Sequence, residues 1–252
     1  MPAVSGHSKW STIKRKKGAA DAKRGQLFSK LARAIIVAAK EGGPDPESNA
    51  ALATAIQKAR DNSMPKDNIE RAIQRGAGGG EGDAYESMSY EGYAPGGVAV
   101  YCAILTDNRN RTASDLRSIF TKNGGTLGSP GSVAWQFDRK GVVMVDRDGT
   151  DEDVVIEAAL DGGAVDVSED GSLWQITAEP GDFMAVRESL EGAGIAYASA
   201  ELTMIPKSTV EPEEKEARQI LRLVDALEEN DDVQGVYANF DISEDILEAV
   251  AG

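Results

Sequence analysis

The sequence predicts an α+β multidomain protein: an N-terminal three-helix domain followed by two ferredoxin-like α/β domains, the middle one discontinuous. Three observations predict it. Apolar residues recur at helical spacing over residues 25–76. A glycine-rich run between Gly76 and Gly82 then punctuates the chain. Beyond residue 84, short strand-like runs alternate with helical ones, in four weakly repeated units of helix, small turn and strand.

Residues 1–23 hold Gly6-His-Ser-Lys-Trp10 and the cluster Lys14-Arg-Lys-Lys17, with few apolar residues to bury, and read as a basic arm. Helix one is expected over Gly25–Lys40, with Phe28, Leu31 and Ile35 on its buried face. Gly42-Gly43-Pro44 ends it. Asp45 is the expected cap of a second helix with Pro46 at its first position, and Leu52, Ala55, Ile56 and Ala59 as its apolar face. A third helix begins near Pro65, buries Ile69, Ala72 and Ile73, and exits at Arg75-Gly76.

The glycine-rich run reads as a joint. It lacks the Lys-Ser or Lys-Thr ending of a phosphate-binding loop and does not sit between a strand and a helix. Strands are then expected over Ser87–Tyr93, Val98–Leu105, Ser132–Phe137, Gly141–Val145, Leu173–Thr177, Ala196–Met204 and Val236–Asp241. Helices are expected over Thr112–Lys122, Asp151–Leu160, Asp182–Glu191 and Pro212–Glu229. The order of these units permits nesting. The organisation expected is therefore an arm (1–23), a helical domain (24–76), a linker (77–82), one α/β domain made of 83–140 and 206–242, a second (141–205) inserted into it, and a tail (243–252).

Composition limits function. No apolar run approaches the roughly 20 residues needed to cross a bilayer, and no secretory signal follows the N-terminal basic residues, so a cytoplasmic protein with no membrane partner is expected. Cys102 is alone and lies in an apolar run, which suits a small buried hydrophobe. His7 is the single histidine, which removes histidine triads and histidine-rich metal sites. Asp146–Asp153 lacks the terminal ligand of a calcium loop and reads as a turn into a helix N-terminus. No catalytic residue, metal, cofactor or small-molecule substrate is expected, and the chain reads as a non-enzyme.

Net charge is −15, which by itself would repel phosphate. Residues 1–40, however, carry ten Lys or Arg against Asp21, a net of +9, leaving −24 on the remaining 212 residues. Such asymmetry marks a basic segment joined to an acidic body. The candidate nucleic-acid contacts are Lys9, Lys14, Arg15, Lys16, Lys17, Lys23, Arg24 and Lys30 for phosphate, with His7 and Trp10 as planar faces for stacking. The alternatives are a solubilising tail or an N-terminal amphipathic membrane patch, the latter weakened by the scarcity of apolar partners for Trp10. Arg109 and Arg111 form a second candidate: a capping box of Thr112 and Asp115 would put them just ahead of a helix N-terminus, where they grip a phosphate or else pair with nearby carboxylates.

Gly6-His-Ser-Lys-Trp10, Gly43-Pro-Asp-Pro46, Met64-Pro-Lys-Asp-Asn-Ile-Glu-Arg-Ala-Ile73, Tyr90-Glu-Gly-Tyr93, Pro95-Gly-Gly-Val98, Leu105-Thr-Asp-Asn-Arg-Asn-Arg-Thr112 and Gly131-Ser-Val133 resemble the YebC/PmpR family, over nearly the whole chain from Gly6 to about Asp241. The resemblance implies a cytoplasmic three-domain protein with a discontinuous middle domain. It also implies a probable transcriptional regulator that binds DNA. Related organellar and bacterial proteins imply the alternative, a ribosome-associated translation factor that binds ribosomal RNA and supports synthesis of difficult, proline-rich sequences.

Overall fold

In the computed structural model the described residues are 21–78, 85–243 and 246, with side chains from Arg24 onward. The basic arm through residue 20, the side chain of Lys23, residues 79–84 of the glycine-rich run and nearly all of the tail lie outside them.

Three helices open the described chain: α1 (Asp21–Gly42), α2 (Ala50–Asp61) and α3 (Lys66–Ala77). Leu31, Ile35, Ala38 and Ala39 of α1 close on Leu52, Ile56 and Ala59 of α2 and on Ile69 and Ala72 of α3. Two expectations need correction. The second helix starts at Ala50, not at Pro46, because Asn49 is its cap: Oδ1 accepts from the Leu52 N–H at 3.0 Å while Nδ2 donates to the Ala38 and Gly43 carbonyls at 2.8 Å each. Asp45 instead folds the preceding turn, accepting from the N–H of Glu47 and the hydroxyl of Ser48. Gly76 is no exit. It lies inside α3 against α1, and a Cβ there would stand 2.5 Å from the Ile36 carbonyl oxygen.

The first four-stranded sheet holds β1 (Glu86–Tyr93), β2 (Ala99–Thr106), β3 (Thr126–Leu127) and, far along the chain, β8 (Val233–Ala238), in the order β3-β1-β2-β8. Helices α4 (Arg109–Lys122) and α7 (Glu214–Glu228) pack on it. Leu116 and Phe120 meet Ile220, Leu221, Leu223, Val224 and Leu227 over Val100, Cys102, Ile104 and Val236. Burial there pushes the Cys102 thiol up to about 12, so it serves as packing.

Between β3 and α7 the chain builds the second sheet from β4 (Phe137–Asp146), β5 (Ala164–Asp170), β6 (Leu173–Ala178) and β7 (Ser199–Pro206), ordered β5-β6-β4-β7. Helices α5 (Glu152–Asp161) and α6 (Phe183–Gly192) cover it through Val155, Ala159, Val186 and Leu190. Strand–helix–strand, hairpin, helix–strand is the ferredoxin-like connectivity, with all pairs antiparallel. The middle domain is thus discontinuous, left before β4 and rejoined at α7. A small interface of Ala99, Val133 and Phe137 with Tyr101, Met204 and Tyr237 joins the two sheets.

Strands β3 and β5 escape the sequence reading, and Ser132–Phe137 is not a strand. Ala134–Gln136 is a 3₁₀ turn and pairing begins only at Phe137. The Glu91 carboxylate is the cause: it draws the N–H groups of Gly131, Val133 and Ala134 to itself at 2.6, 2.6 and 2.8 Å, and these donors are lost to any ladder.

Candidate nucleic-acid interface

The site begins at the C-terminus of α7. A helix leaves its last carbonyls without partners, and α7 has no basic residue in its last turn. The partners come from α1. Gln26 Nε2 donates to the Glu229 carbonyl at 2.5 Å and to Asp231 Oδ1 at 2.9 Å, Lys30 Nζ to the Glu228 carbonyl at 2.6 Å, and Arg33 Nη1 to the Asp231 carbonyl at 2.8 Å. The guanidinium of Arg33 also lies 3.5 Å from Asp232 and 5.1 Å from the centre of the Tyr85 ring. One face of α1 is therefore a plug for the negative end of α7.

Lys30 sits on that inward face. Burial lowers its ammonium to about 8, against the upward pull of Asp231 and Glu228. Arg24, a turn and a half earlier, is exposed, as is Lys40 at the other end of the helix.

Arg109 and Arg111 do not precede a helix. They lie in the first turn of α4, whose cap is Asn108: its Oδ1 accepts from the Arg111 N–H at 3.1 Å. Thr112 is not the cap, because it is the fourth residue of the helix, buried with its hydroxyl 2.8 Å from Asp232 Oδ2. Arg111 Nη2 lies 2.7 Å from Asp107 Oδ1 and 2.9 and 3.1 Å from the two oxygens of Asp232. The hydrogen bonds it donates to Asp232 and Asp107 hold the guanidinium in its charged form. Asp232 itself is penalised by burial, but Arg111, Thr112 and Thr106 outweigh that and lower its carboxyl below the ordinary range. Arg109 makes one looser contact, 3.7 Å to Glu86, with both side chains exposed.

Of the two outcomes open for this arginine pair, Arg111 takes the carboxylate pairing. A cleft of about 400 Å³ between α1 and α4 is lined by Arg33 and Arg111 but also by Asp107, Asp115, Asp231 and Asp232, a balance that does not favour phosphate. Lys30, Arg33, Arg111 and Asp232 converge on one junction, whereas Arg24 and Arg109 stand outside it. Asp232, Gln26 and the Tyr85 ring carry no local sequence signal, since the partners of Asp232 and Gln26 lie about 120 to 205 residues away and Arg33 lies about 50 residues before Tyr85. Among the described residues no group of three or more His, Cys, Asp or Glu is placed to hold a metal ion, and no helix is long and apolar enough to cross a membrane.

Residues 8–79 match the model of the TACO1/YebC protein N-terminal domain, and residues 85–240 match that of the TACO1/YebC second and third domain. The chain belongs to the TACO1/YebC family. A relative from Rubrobacter xylanophilus, named a probable transcriptional regulatory protein, is 65% identical over 99% of this chain and 100% of its own length. Another of the same name from Geotalea uraniireducens is 57% identical over 97% of this chain and 99% of its own. The crystal structure of a conserved hypothetical protein from Aquifex aeolicus superposes with a TM-score of 0.79 at 49% identity, covering 89% of this chain and 93% of that one. The TACO1/YebC architecture thus accounts for both the helical domain and the nested pair of sheets.

Proposed function

We propose that this TACO1/YebC protein is a cytoplasmic, non-enzymatic regulator of gene expression that binds nucleic acid through its basic N-terminal region. The observation that carries this reading is the segregation of charge: +9 on residues 1–40 against −24 on the rest. The docking of α1 supports it. With Lys30 and Arg33 bound to the acidic body, α1 is anchored there, and the segment bearing Lys9, Lys14–Lys17, Lys23 and Arg24 leads into it or opens it. The curated relatives named as transcriptional regulators support the regulatory half. Contacts of this kind are mainly to phosphate and carry little sequence selectivity of their own.

Ribosomal RNA is the second target, and α3 favours it over promoter DNA. On the exposed side of α3, Lys66 pairs with Glu70 at 3.6 Å, and Arg71 bonds to the Asp67 carbonyl and to Asn68. These side chains are engaged within their own helix, so α3 offers a poor set of base-reading groups for a major groove.

The test is the salt dependence of affinity for duplex DNA and for ribosomal RNA fragments, with Lys14–Lys17 replaced by alanine. Each lost phosphate contact should flatten the log–log slope by about 0.7–0.9. An unchanged slope and affinity on both ligands would remove the arm from the binding site. Sequencing of nucleic acid cross-linked to the protein in growing cells separates the two targets: discrete promoters for one, ribosomal RNA for the other.

A further inference from the structure

The loop between β3 and β4 lies beside the end of β1, and neither belongs to the junction described above. Trp135, on the 3₁₀ turn, is 67% exposed, more than any other large apolar side chain among the described residues, and Tyr93 at the end of β1 is 37% exposed. Both rings are fixed to one atom. Trp135 Nε1 and Tyr93 Oη each donate to the Ser132 carbonyl at 3.1 Å. That carbonyl is itself held, because its loop hangs on Glu91, which is 4% exposed and receives the N–H groups of Gly131, Val133 and Ala134. The polar edges of the rings are thus satisfied at Ser132 in a pre-ordered arrangement.

The electrostatic setting is unusual for this body. Gly92–Thr106 and Gly124–Phe137 contain no Asp, Glu, Lys or Arg, although the chain beyond residue 40 carries −24. The acid under the loop, Glu91, is buried, and its charge is taken up by three backbone N–H donors on the side away from solvent. A polyanion repelled elsewhere on the acidic domains meets no carboxylate from these two stretches themselves, although the Glu216 carboxylate of α7 lies beside Gly96 at their edge. Stacking needs no cation, since every base offers a π-face.

We propose that Trp135 and Tyr93 form a stacking platform for an unpaired base of RNA. This rests on the reading that the protein binds nucleic acid, and adds to it a contact that recognises bases where the arm recognises phosphate. A protein partner fits less well: Ser129, Pro130, Gly131, Gly96 and Gly97, exposed and close to the two rings along the chain, supply little of the apolar area that surrounds an aromatic anchor in a protein interface. RNA fits better than duplex DNA because its loops and bulges present bases already out of the stack.

The experiment uses the full chain and a labelled single-stranded RNA of mixed sequence beside its duplex form, each titrated at several salt concentrations. Trp135→Ala should weaken single-strand binding roughly 5- to 150-fold, as expected for one lost stack, with the salt slope and duplex affinity unchanged. Trp135→Phe should restore most of it, and both variants should melt with wild-type midpoints because the ring is exposed. The arm acts on the slope and the platform on the intercept, so either can fail alone. Equal single-strand affinity in wild type and Trp135→Ala, an equal loss on duplex, or no single-strand binding by the wild type would overturn the proposal. So would a photo-cross-linker at position 135 that captures protein in place of RNA in cells.

Discussion

Arg187 of α6 and Asp61 at the end of α2 meet across a domain boundary in a two-pronged ion pair, Nη1 to Oδ2 at 2.9 Å and Nη2 to Oδ1 at 3.0 Å. The arginine side chain is only 4% exposed, with its guanidinium over the Phe183 and Tyr197 rings and 2.6 Å from the Tyr197 hydroxyl. The helical domain is therefore tied twice: through α2 to the inserted domain, and through α1 to the C-terminus of α7.

Removing the carboxylate should loosen the first tie. Asp61→Asn leaves a buried guanidinium facing a neutral amide that can accept only one of the two bonds, and breaking a buried pair from one side costs about 3–5 kcal/mol. Asp61 is 29% exposed, so water recovers part of this and the loss should fall at or below the low end. Urea unfolding checks it, with Arg187→Met completing a double-mutant cycle. A double variant that loses the full sum of the two single losses would mean that the pair is not coupled.

Glu91 gives a prediction with a pH signature. Burial raises its carboxyl, but the hydrogen bonds from Val133, Gly131 and Ala134 outweigh that and leave it below its ordinary value of 4.5. A depressed folded value means that the contribution is complete above the ordinary carboxylate range and is lost as pH falls through the folded value. Glu91→Gln keeps the shape but turns an amide donor toward backbone donors, and should cost about 1–3 kcal/mol at pH 7. The gap between wild type and variant should narrow below pH 4.5; a constant gap would show that charge is not what holds the loop.

The same carboxylate shows what a sequence conceals. Periodicity located α1, α3, α6 and α7 and most strands because each depends on residues a few positions apart, as with Leu31 and Ile35 or Ile220 and Val224. Ser132–Phe137 looked like a strand, and only Glu91, some 40 residues earlier, makes it a turn. Thr112 looked like a cap until Asp232 claimed it from 120 residues away. Strand β5, Ala164–Asp170, carries three acids at an edge and has little apolar alternation to reveal it. The basic segment was legible because charge counting needs no partner, whereas the inward use of Lys30 and Arg111 depends on carbonyls and carboxylates that only the fold brings near.

Gly76 tests the packing of α3 on α1. Alanine normally favours a helix interior over glycine by about 1 kcal/mol. Here the added Cβ would lie 2.5 Å from the Ile36 carbonyl oxygen and 2.7 Å from the Ala39 Cβ, both on a neighbouring helix. Overpacking of this sort costs about 1–3 kcal/mol, so Gly76→Ala should be destabilising on balance, seen as a lower thermal midpoint. A stabilised variant would mean that the two helices separate freely, and that the contact does not set their spacing.

Lys30 predicts an alkaline effect of the same sense as that of Glu91, since both folded values lie below the ordinary ones. Burial brings its ammonium from 10.5 down to about 8. Between those values the unfolded chain binds the proton and the folded chain does not, so on this group's account stability rises as pH climbs from 8 to 10.5. Below pH 8 the folded protein carries the full cost of a half-buried charge, offset by the bond to the Glu228 carbonyl. Lys30→Met keeps the aliphatic stem and removes both the charge and the bond. The stability of wild type relative to this variant should therefore be flat near pH 7 and increase across pH 8 to 10.5 in denaturant titrations. Parallel curves for the two proteins over that range would mean that Lys30 is solvated like any surface lysine, and that α1 does not press it against the end of α7.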